Sequence, residues 1–362
     1  MKINRINRFW FTYFFIRLFY LFFTVFIYRE LTTLGDTGRY LNRGFNFSSS
    51  MFYSSTDLMD CIGGFFGTLF GGNNIISNFF FMLLSFYIIR WTVEKLELKK
   101  HINEKLLLIS ISLPNFCIWT SVCSKEVVGL TFSAILAVLF INFFNGFYKI
   151  RKRDWIAFYL CLVFKPQYFP FIFQGLILIY LMHKLRKPLS QLILGVTFIT
   201  ANLLALYLMK DIINEYTSQA YAHFNVSMAA STRDNVFVND NDFFHKAPLG
   251  MFTAFWGPTI EEMLSKPTHL LAGIESLFIV CLFCFLLKDF FIDLFRGRII
   301  AVIAFSYFIV FSGICLLHYP FGIFNPGSAI RYRTNFIFLF LILLLYLYNY
   351  YKNHRYNRTR YE

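Results

Sequence analysis

An acid, a base and a phenol stand within five residues at Asp36, Arg39 and Tyr40, in the stretch Leu34-Gly35-Asp36-Thr37-Gly38-Arg39-Tyr40. In a helix, Asp36 and Tyr40 are four apart and share a face, with Arg39 beside them. A carboxylate so placed can take the proton of an attacking hydroxyl, which is general-base chemistry. The spacing also suits a helix start, with Asp36 or Thr37 capping a short helix that runs toward Tyr40. The two roles are compatible.

Four further cations, Lys125, Lys165, Arg331 and Arg333, sit like Arg39 at the ends of apolar runs or at a hairpin tip. A charge at such a depth is costly unless paired or hydrated. Arginine offers a bidentate fork to phosphoryl oxygens and lysine a mobile point charge, so such a set suits a phosphate-bearing lipid. Interfacial snorkelling with acid pairing is the structural alternative for each residue. Lys125-Glu126 reads either as a self-satisfied pair at a helix start or as a cation and an acid of a site. Gln167 follows Lys165 in Lys-Pro-Gln. His318, near Arg331, reads as proton carrier, phosphate ligand or structural histidine. Glu275 lies inside an apolar run and should face protein. Tyr40, Tyr319, Tyr332 and Trp256 can stack on sugar rings or form an interfacial belt.

The elements that must position these residues are membrane helices. Of 362 residues, 57% are hydrophobic, 21% aromatic and 15% charged; a soluble domain is about 45–50% apolar and about 25% charged. Fifty Phe exceed what a water-soluble core of this size can hide, so lipid must solvate much of the surface. Apolar runs near the roughly 20 residues needed to cross a bilayer recur along the chain. The net charge of +14 first suggests nucleic acid. The basic residues, however, cluster between apolar runs, the positive-inside pattern, and this argues against a nucleic-acid partner. Seven Cys lie mostly in or beside apolar runs; Cys281 and Cys284 form C-x-x-C without His partners. They read as small apolar packing residues, forming neither a disulfide framework nor a zinc site.

In chain order, Lys2, Arg5 and Arg8 precede a first run at 9–29, read as a retained span with a cytoplasmic N-terminus. Arg17 interrupts that run; snorkelling toward the cytoplasmic face is favoured over a role as an inward-facing ligand. Residues 30–74 form an outer loop whose Gly63, Gly64, Gly67, Gly71 and Gly72 punctuate an apolar piece too short to cross, read as an interfacial helix. Spans follow at 75–91, 106–121 (kinked at Pro114), 127–147, 189–209, 271–287, 299–317 and 334–351. Residues 155–182 are apolar but bounded by basic clusters at both ends, with Lys165-Pro166-Gln167-Tyr168-Phe169-Pro170 in the middle. Two prolines there break a straight helix, so this segment reads as a hairpin of two short helices. The expected fold is an all-α, polytopic transmembrane bundle of about 9–11 spans in one integral-membrane domain over 1–362. Outer loops 30–74, 210–270 (with an Asn/Asp-rich turn near 234–242) and 318–333 form its site side. Lys and Arg divide about two to one in favour of the segments so assigned inside, which include Lys288, Arg296 and Arg298 and the basic tail. No internal repeat is evident.

With these residues in view, a resemblance emerges. GDTGRY at 35–40, WTSVCSKE at 119–126, KPQ at 165–167, FWGP at 255–258 with IES at 274–276, and NPGSAIRYR at 325–333 punctuate nearly the whole chain. In order and sidedness they resemble elements of bacterial GT-C-like membrane glycosyltransferases and O-antigen (surface-polysaccharide) repeat-unit polymerases. The first motif reads D-T-G-R-Y where some members carry D-S-x-x-Y, which leaves the role of Thr37 open. The long periplasmic domain of the larger GT-C enzymes is not apparent.

The resemblance implies a glycosyltransferase that uses polyprenyl-phosphate or polyprenyl-pyrophosphate donors in lipopolysaccharide O-antigen or capsule assembly, with a lipid-linked glycan acceptor. It implies a bacterial inner-membrane protein with both termini cytoplasmic and the active site facing the periplasm, among membrane lipids and other polysaccharide-assembly proteins. Asp36 would be the base, with Glu126 as a second catalytic acid. Arg39, Tyr40, Lys125, Lys165, Gln167, His318, Arg331 and Arg333 would bind substrate. The cofactor stays unknown: one outer acid near the motif argues against a full metal cage, while magnesium uses one or two carboxylates with substrate phosphates. Nucleotide-binding glycine motifs are absent, as expected for a lipid-linked donor. Repeat-unit polymerase is favoured over monosaccharide transferase. The alternatives are a flippase or transporter of lipid-linked sugars, suggested by the broken hairpin, and a noncatalytic scaffold of the same pathway.

Overall fold

The structure is a computed structural model that describes residues 7–226, 233, 236–296 and 300–358. Lys2, Arg5, Asp234, Arg298 and the end of the basic tail lie outside the described residues. Every regular element among the described residues is a helix. Seven helices are long and apolar enough to cross a membrane: Arg8–Leu31, Ile75–Lys95, Lys125–Phe144, Pro188–Leu208, Pro267–Phe295, Ala301–Phe324 and Pro326–Lys352. Lys152–Phe164 and Pro166–Lys184 form a bent pair that makes an eighth if counted as one span. The chain is thus an all-α multi-pass membrane protein. Its core divides into two compact units, residues Met1–Val138, Arg151–Lys165 and Thr334–Glu362 in the first, Leu139–Ile150 and Pro166–Arg333 in the second.

In the first unit the expected reading of Arg17 is overturned. Its side chain is fully buried, not drawn to the cytoplasmic face. It donates to Thr120 Oγ1 at 2.8 Å, Ser85 Oγ at 2.8 Å and the Thr120 carbonyl at 2.6 Å. Three convergent oxygens from two other elements hold the guanidinium better than a stretch toward a distant headgroup layer. The expected span at 106–121 is also not one kinked helix. It divides into Glu104–Ile111 and Pro114–Trp119. Leu113 is extended (φ −57°, ψ 131°), because the proline ring disfavours helical backbone at the residue before it. Helix Lys125–Phe144 packs its start against the chain from Thr334 onward: a Cβ on Gly129 would stand 2.0 Å from Asn335 Oδ1, and Phe116 stacks on Phe338 at 6.0 Å.

The break expected in 155–182 occurs at Lys165, with a 3-10 turn over Pro166–Tyr168 before helix Phe169–Lys184. In the second unit that helix meets Ala301–Phe324 through two glycines, Gly175 against Val310 and Gly313 against Phe171. The expected loop at 318–333 is helical instead. Ala301–Phe324 runs through Pro320, and after a single extended residue, Asn325, the chain re-enters a helix at Pro326. Asn325 Oδ1 accepts from Ser328 N at 2.9 Å, an N-cap, and proline is favoured at the first helical position. Helix Pro188–Leu208 buries only 6% of its apolar window; one face packs on protein, Gly195 against Phe305 and Asn202 against Gln174.

Candidate functional site

The first cluster stands on the short helix Thr37–Asn42 and the helix Ser55–Phe70. Asp36 occupies the N-cap position, yet its side chain caps nothing. Its Oδ2 instead accepts from the Tyr40 hydroxyl at 3.2 Å, and its Oδ1 lies 3.7 Å from Arg39 Nε. Spacing four apart has put both on one face, as the sequence suggested. The Arg39 guanidinium sits 4.8 Å over the Tyr40 ring. Burial, and then the Asp36 carboxylate, raise the Tyr40 phenol well above its usual range, so it remains a donor. Burial works against the charge on Arg39, but the carboxylates of Asp60 and Asp36 outweigh it and raise its pKa.

Asp60 is the residue that reasoning from sequence missed. Its side chain is 8% exposed. Arg43 Nη1 donates to its Oδ2, and Arg39 Nη1 lies 3.7 Å from the same oxygen. Its other oxygen, Oδ1, is buried without a hydrogen-bond partner. Two acids and two arginines therefore alternate as Asp36, Arg39, Asp60, Arg43. A signal for this was present. Arg39 and Arg43 are four apart, and Asp60 precedes Gly63, Gly64 and Gly67 at helical spacing, so it belongs to the same glycine stripe.

That stripe is the contact face. A Cβ on Gly64 would stand 2.1 Å from the Gly44 carbonyl oxygen and one on Gly67 1.8 Å from that of Leu41. Backbone meets backbone there, and this close approach carries Asp60 to the arginines. At the start of the same helix, Lys125 Nζ donates to Ser55 Oγ at 3.1 Å and Thr56 Oγ1 at 2.9 Å. Glu126 is buried, close enough to Tyr40 for its charge to act on that phenol. Lys165 is buried near Cys161.

In the second unit, Arg333 is a buried structural node. Its Nη2 holds Glu275 Oε1 at 3.2 Å; its Nη1 donates to Ser276 Oγ at 2.7 Å and to the Phe255 carbonyl at 3.1 Å. The Glu275 carboxylate accordingly faces protein. His318 is buried, with Nε2 3.2 Å from the Ala254 carbonyl. Arg331 stacks on Tyr332 at 5.1 Å, and Gln167 hydrogen-bonds the neighbouring Tyr168. All five cations thus have protein contacts, and Arg39 joins a cluster of two acids and two arginines.

Among the described residues no group of three or more His, Cys, Asp or Glu is gathered as a metal site would be, and none of the seven cysteines forms a disulfide. No family model, curated protein or solved structure matches the chain.

Proposed function

We propose that the protein is an integral-membrane glycosyltransferase that takes a polyprenyl-(pyro)phosphate-linked sugar and extends a surface polysaccharide, as a repeat-unit polymerase. The observation that carries this reading is Asp36: a half-exposed carboxylate, hydrogen-bonded by a phenol that stays protonated and flanked by paired arginines. In this reading the acceptor hydroxyl oxygen attacks the anomeric carbon and its proton passes to the Asp36 carboxylate. The bond from that carbon to the donor phosphate oxygen breaks, and the electron pair leaves with the phosphate. Arg39, Arg43 and Lys125 meet the departing anion, where fixed cations stabilise it more than water would. Glu126 and Asp60 set the field around Tyr40 and the arginines. Lys165, Gln167 and Arg331 remain candidates for donor contacts. Arg333 and His318 serve the fold. The reaction would take place on the outer face of a bacterial inner membrane, with both termini cytoplasmic.

Asp36→Asn, expressed at the level of the parent, is expected to abolish chain extension and to leave single lipid-linked repeats, read by mass spectrometry of the lipid-linked glycans. Long chains made by that variant would remove Asp36 from the mechanism. The break at Lys165-Pro166 supports a second reading, a transporter of lipid-linked sugars, since transporters use discontinuous helices. Reconstitution of the pure protein separates the two: a new glycosidic bond marks the enzyme, movement between leaflets without one marks the transporter.

A further inference from the structure

Arg17 is fully buried in the first unit, and the oxygens that hold it are neutral: Thr120 Oγ1, Ser85 Oγ and the Thr120 carbonyl. Among the described residues no carboxylate pairs with it. A guanidinium taken out of water without a countercharge is costly. The place of Thr120 accounts for the absence of an acid. Thr120 is the C-cap of helix Pro114–Trp119, and the unpaired carbonyls at such an end carry partial negative charge. Arg17 is therefore set against a helix terminus.

At that terminus the chain leaves helical structure inside the protein. Residues 120–124 belong to no helix, and all five are buried. Non-helical backbone at membrane depth must find its partners in protein. The Ile118 carbonyl accepts from Ser121 N at 3.2 Å, and the Trp119 carbonyl from Ser124 Oγ at 2.6 Å. The Thr120 carbonyl takes Arg17 Nη2 at 2.6 Å and the Ser85 hydroxyl. Cys123 N donates to Asn78 Oδ1 at 2.8 Å. Arg17 thus holds the start of the stretch and Asn78 its far end. Helix Lys125–Phe144 begins directly after it. Its first two residues are those that reach the Asp36 cluster: Lys125 on Ser55 and Thr56, Glu126 near Tyr40.

We infer that Arg17 is a positioning residue. Through Thr120 it fixes the stretch 121–124, and so the placement of Lys125 and Glu126 against the Asp36–Tyr40 pair. What that placement serves rests on the glycosyltransferase reading; the placement itself does not. Arg17 meets no reacting atom. It matters because a misplacement of about 1 Å in a catalytic constellation can cost about a hundredfold in rate.

The test is Arg17→Met in the full chain. The Thr120 carbonyl keeps the Ser85 hydroxyl, and Thr120 Oγ1 keeps its bond to the Phe116 carbonyl. No buried acceptor loses its last partner and a buried charge is removed, so the thermal midpoint in lipid nanodiscs should hold or rise. Hydrogen exchange read by mass spectrometry should speed up by about tenfold or more across 120–126, and stay unchanged in helices Arg8–Phe23 and Ile75–Lys95. Chain extension should fall by about tenfold or more. Arg17→Lys keeps a cation at the carbonyl but lacks the fork that grips three oxygens. It should show the same local loss at smaller size, and it carries the test where the Met variant does not fold. Three results would overturn the inference: exchange unmoved across 120–126, extension at the parental level in both variants, or protection lost evenly along every helix with a lowered midpoint in both. Chains made by Asp36→Asn, beside a local loss of protection in the Arg17 variants, would overturn the glycosyltransferase reading alone.

Discussion

Asp60 and Arg43 share one hydrogen bond but not one environment, so their substitutions should differ in size. Asp60 is buried, whereas the Arg43 side chain is 52% exposed. Arg43→Gln leaves a buried carboxylate with only Arg39, 3.7 Å away, and should cost about 1–3 kcal/mol, the penalty for a buried polar group that loses its partner. Asp60→Asn frees a guanidinium that water can reach and should cost less than about 1 kcal/mol. Denaturation midpoints in detergent would show the order, and equal losses would refute the asymmetry. A second prediction concerns pH. Lys246 first, then the backbone N–H groups of Asn239 and Val238, lower the Asp242 carboxyl from 3.8 to about 2. Its folded pKa is depressed, so its stabilising effect is complete above about pH 4 and fades as pH falls toward 2. The protection factors of the Val238 and Asn239 amides, exchange rates corrected for the intrinsic pH dependence, should fall over that window, and Asp242→Asn should remove that change. Spacing alone revealed the Asp36–Tyr40 pair because both lie on one helical turn. Asp60 escaped it because its partners are seventeen and twenty-one positions away, and only the glycine stripe brings them together.

At the scale of elements, that stripe makes a sharp forecast. Gly67→Ala and Gly64→Ala each push a methyl into a backbone carbonyl of the neighbouring segment, and backbone cannot step aside as a side chain can. Each should destabilise by about 1–3 kcal/mol or more and uncouple Asp60 from Arg39 and Arg43, with lost activity as the readout alongside stability. Gly38 is the control. A Cβ there meets only Asn73 Nδ2 at 3.6 Å, so Gly38→Ala should gain up to about 1 kcal/mol from helix propensity. A loss at Gly38 equal to that at Gly67 would deny the stripe its role. Most long helices were legible from hydropathy, because lipid solvation demands unbroken apolar runs. What failed was local. Nothing in the run around Arg17 points to the Ser85 and Thr120 oxygens that other elements supply. Within 106–121, Pro114 ends one helix and starts the next instead of kinking a single one. The polar residues of 318–333 suggest a loop, whereas Glu275 and Ser276 satisfy Arg333 inside a helix.

At the scale of the whole molecule, the proposed reaction turns on which side of the membrane each polar segment faces. Hydropathy and the helices establish a multi-pass protein; sidedness rests on where the basic residues cluster. Lys99, Lys100 and Lys105 follow helix Ile75–Lys95, and Lys149, Arg151, Lys152 and Arg153 follow helix Lys125–Phe144. Holding both clusters on the cytoplasmic side requires the two short helices over 104–119 to cross together as a broken span. With the bent pair Lys152–Phe164 and Pro166–Lys184 returning to the side it starts from, this puts the Asp36 cluster and the segment around Leu264 on the other. Four positions report on this directly. Tyr53, Phe147 and Leu264 are 75%, 69% and 80% exposed, the Lys100 side chain is 67% exposed, and none of the four lies in a helix long enough to cross a membrane. Five native cysteines are buried; Cys281 and Cys284 are exposed within an apolar helix long enough to cross the membrane. Changing those two to Ala gives a quiet background. A membrane-impermeant maleimide added to intact spheroplasts should then label Tyr53→Cys and Leu264→Cys at once, and Lys100→Cys and Phe147→Cys only after permeabilisation. Labelling in the reverse order would put the Asp36 cluster in the cytoplasm. A flipped, lipid-linked donor could not reach it there, and the proposed reaction would fail on geometry alone.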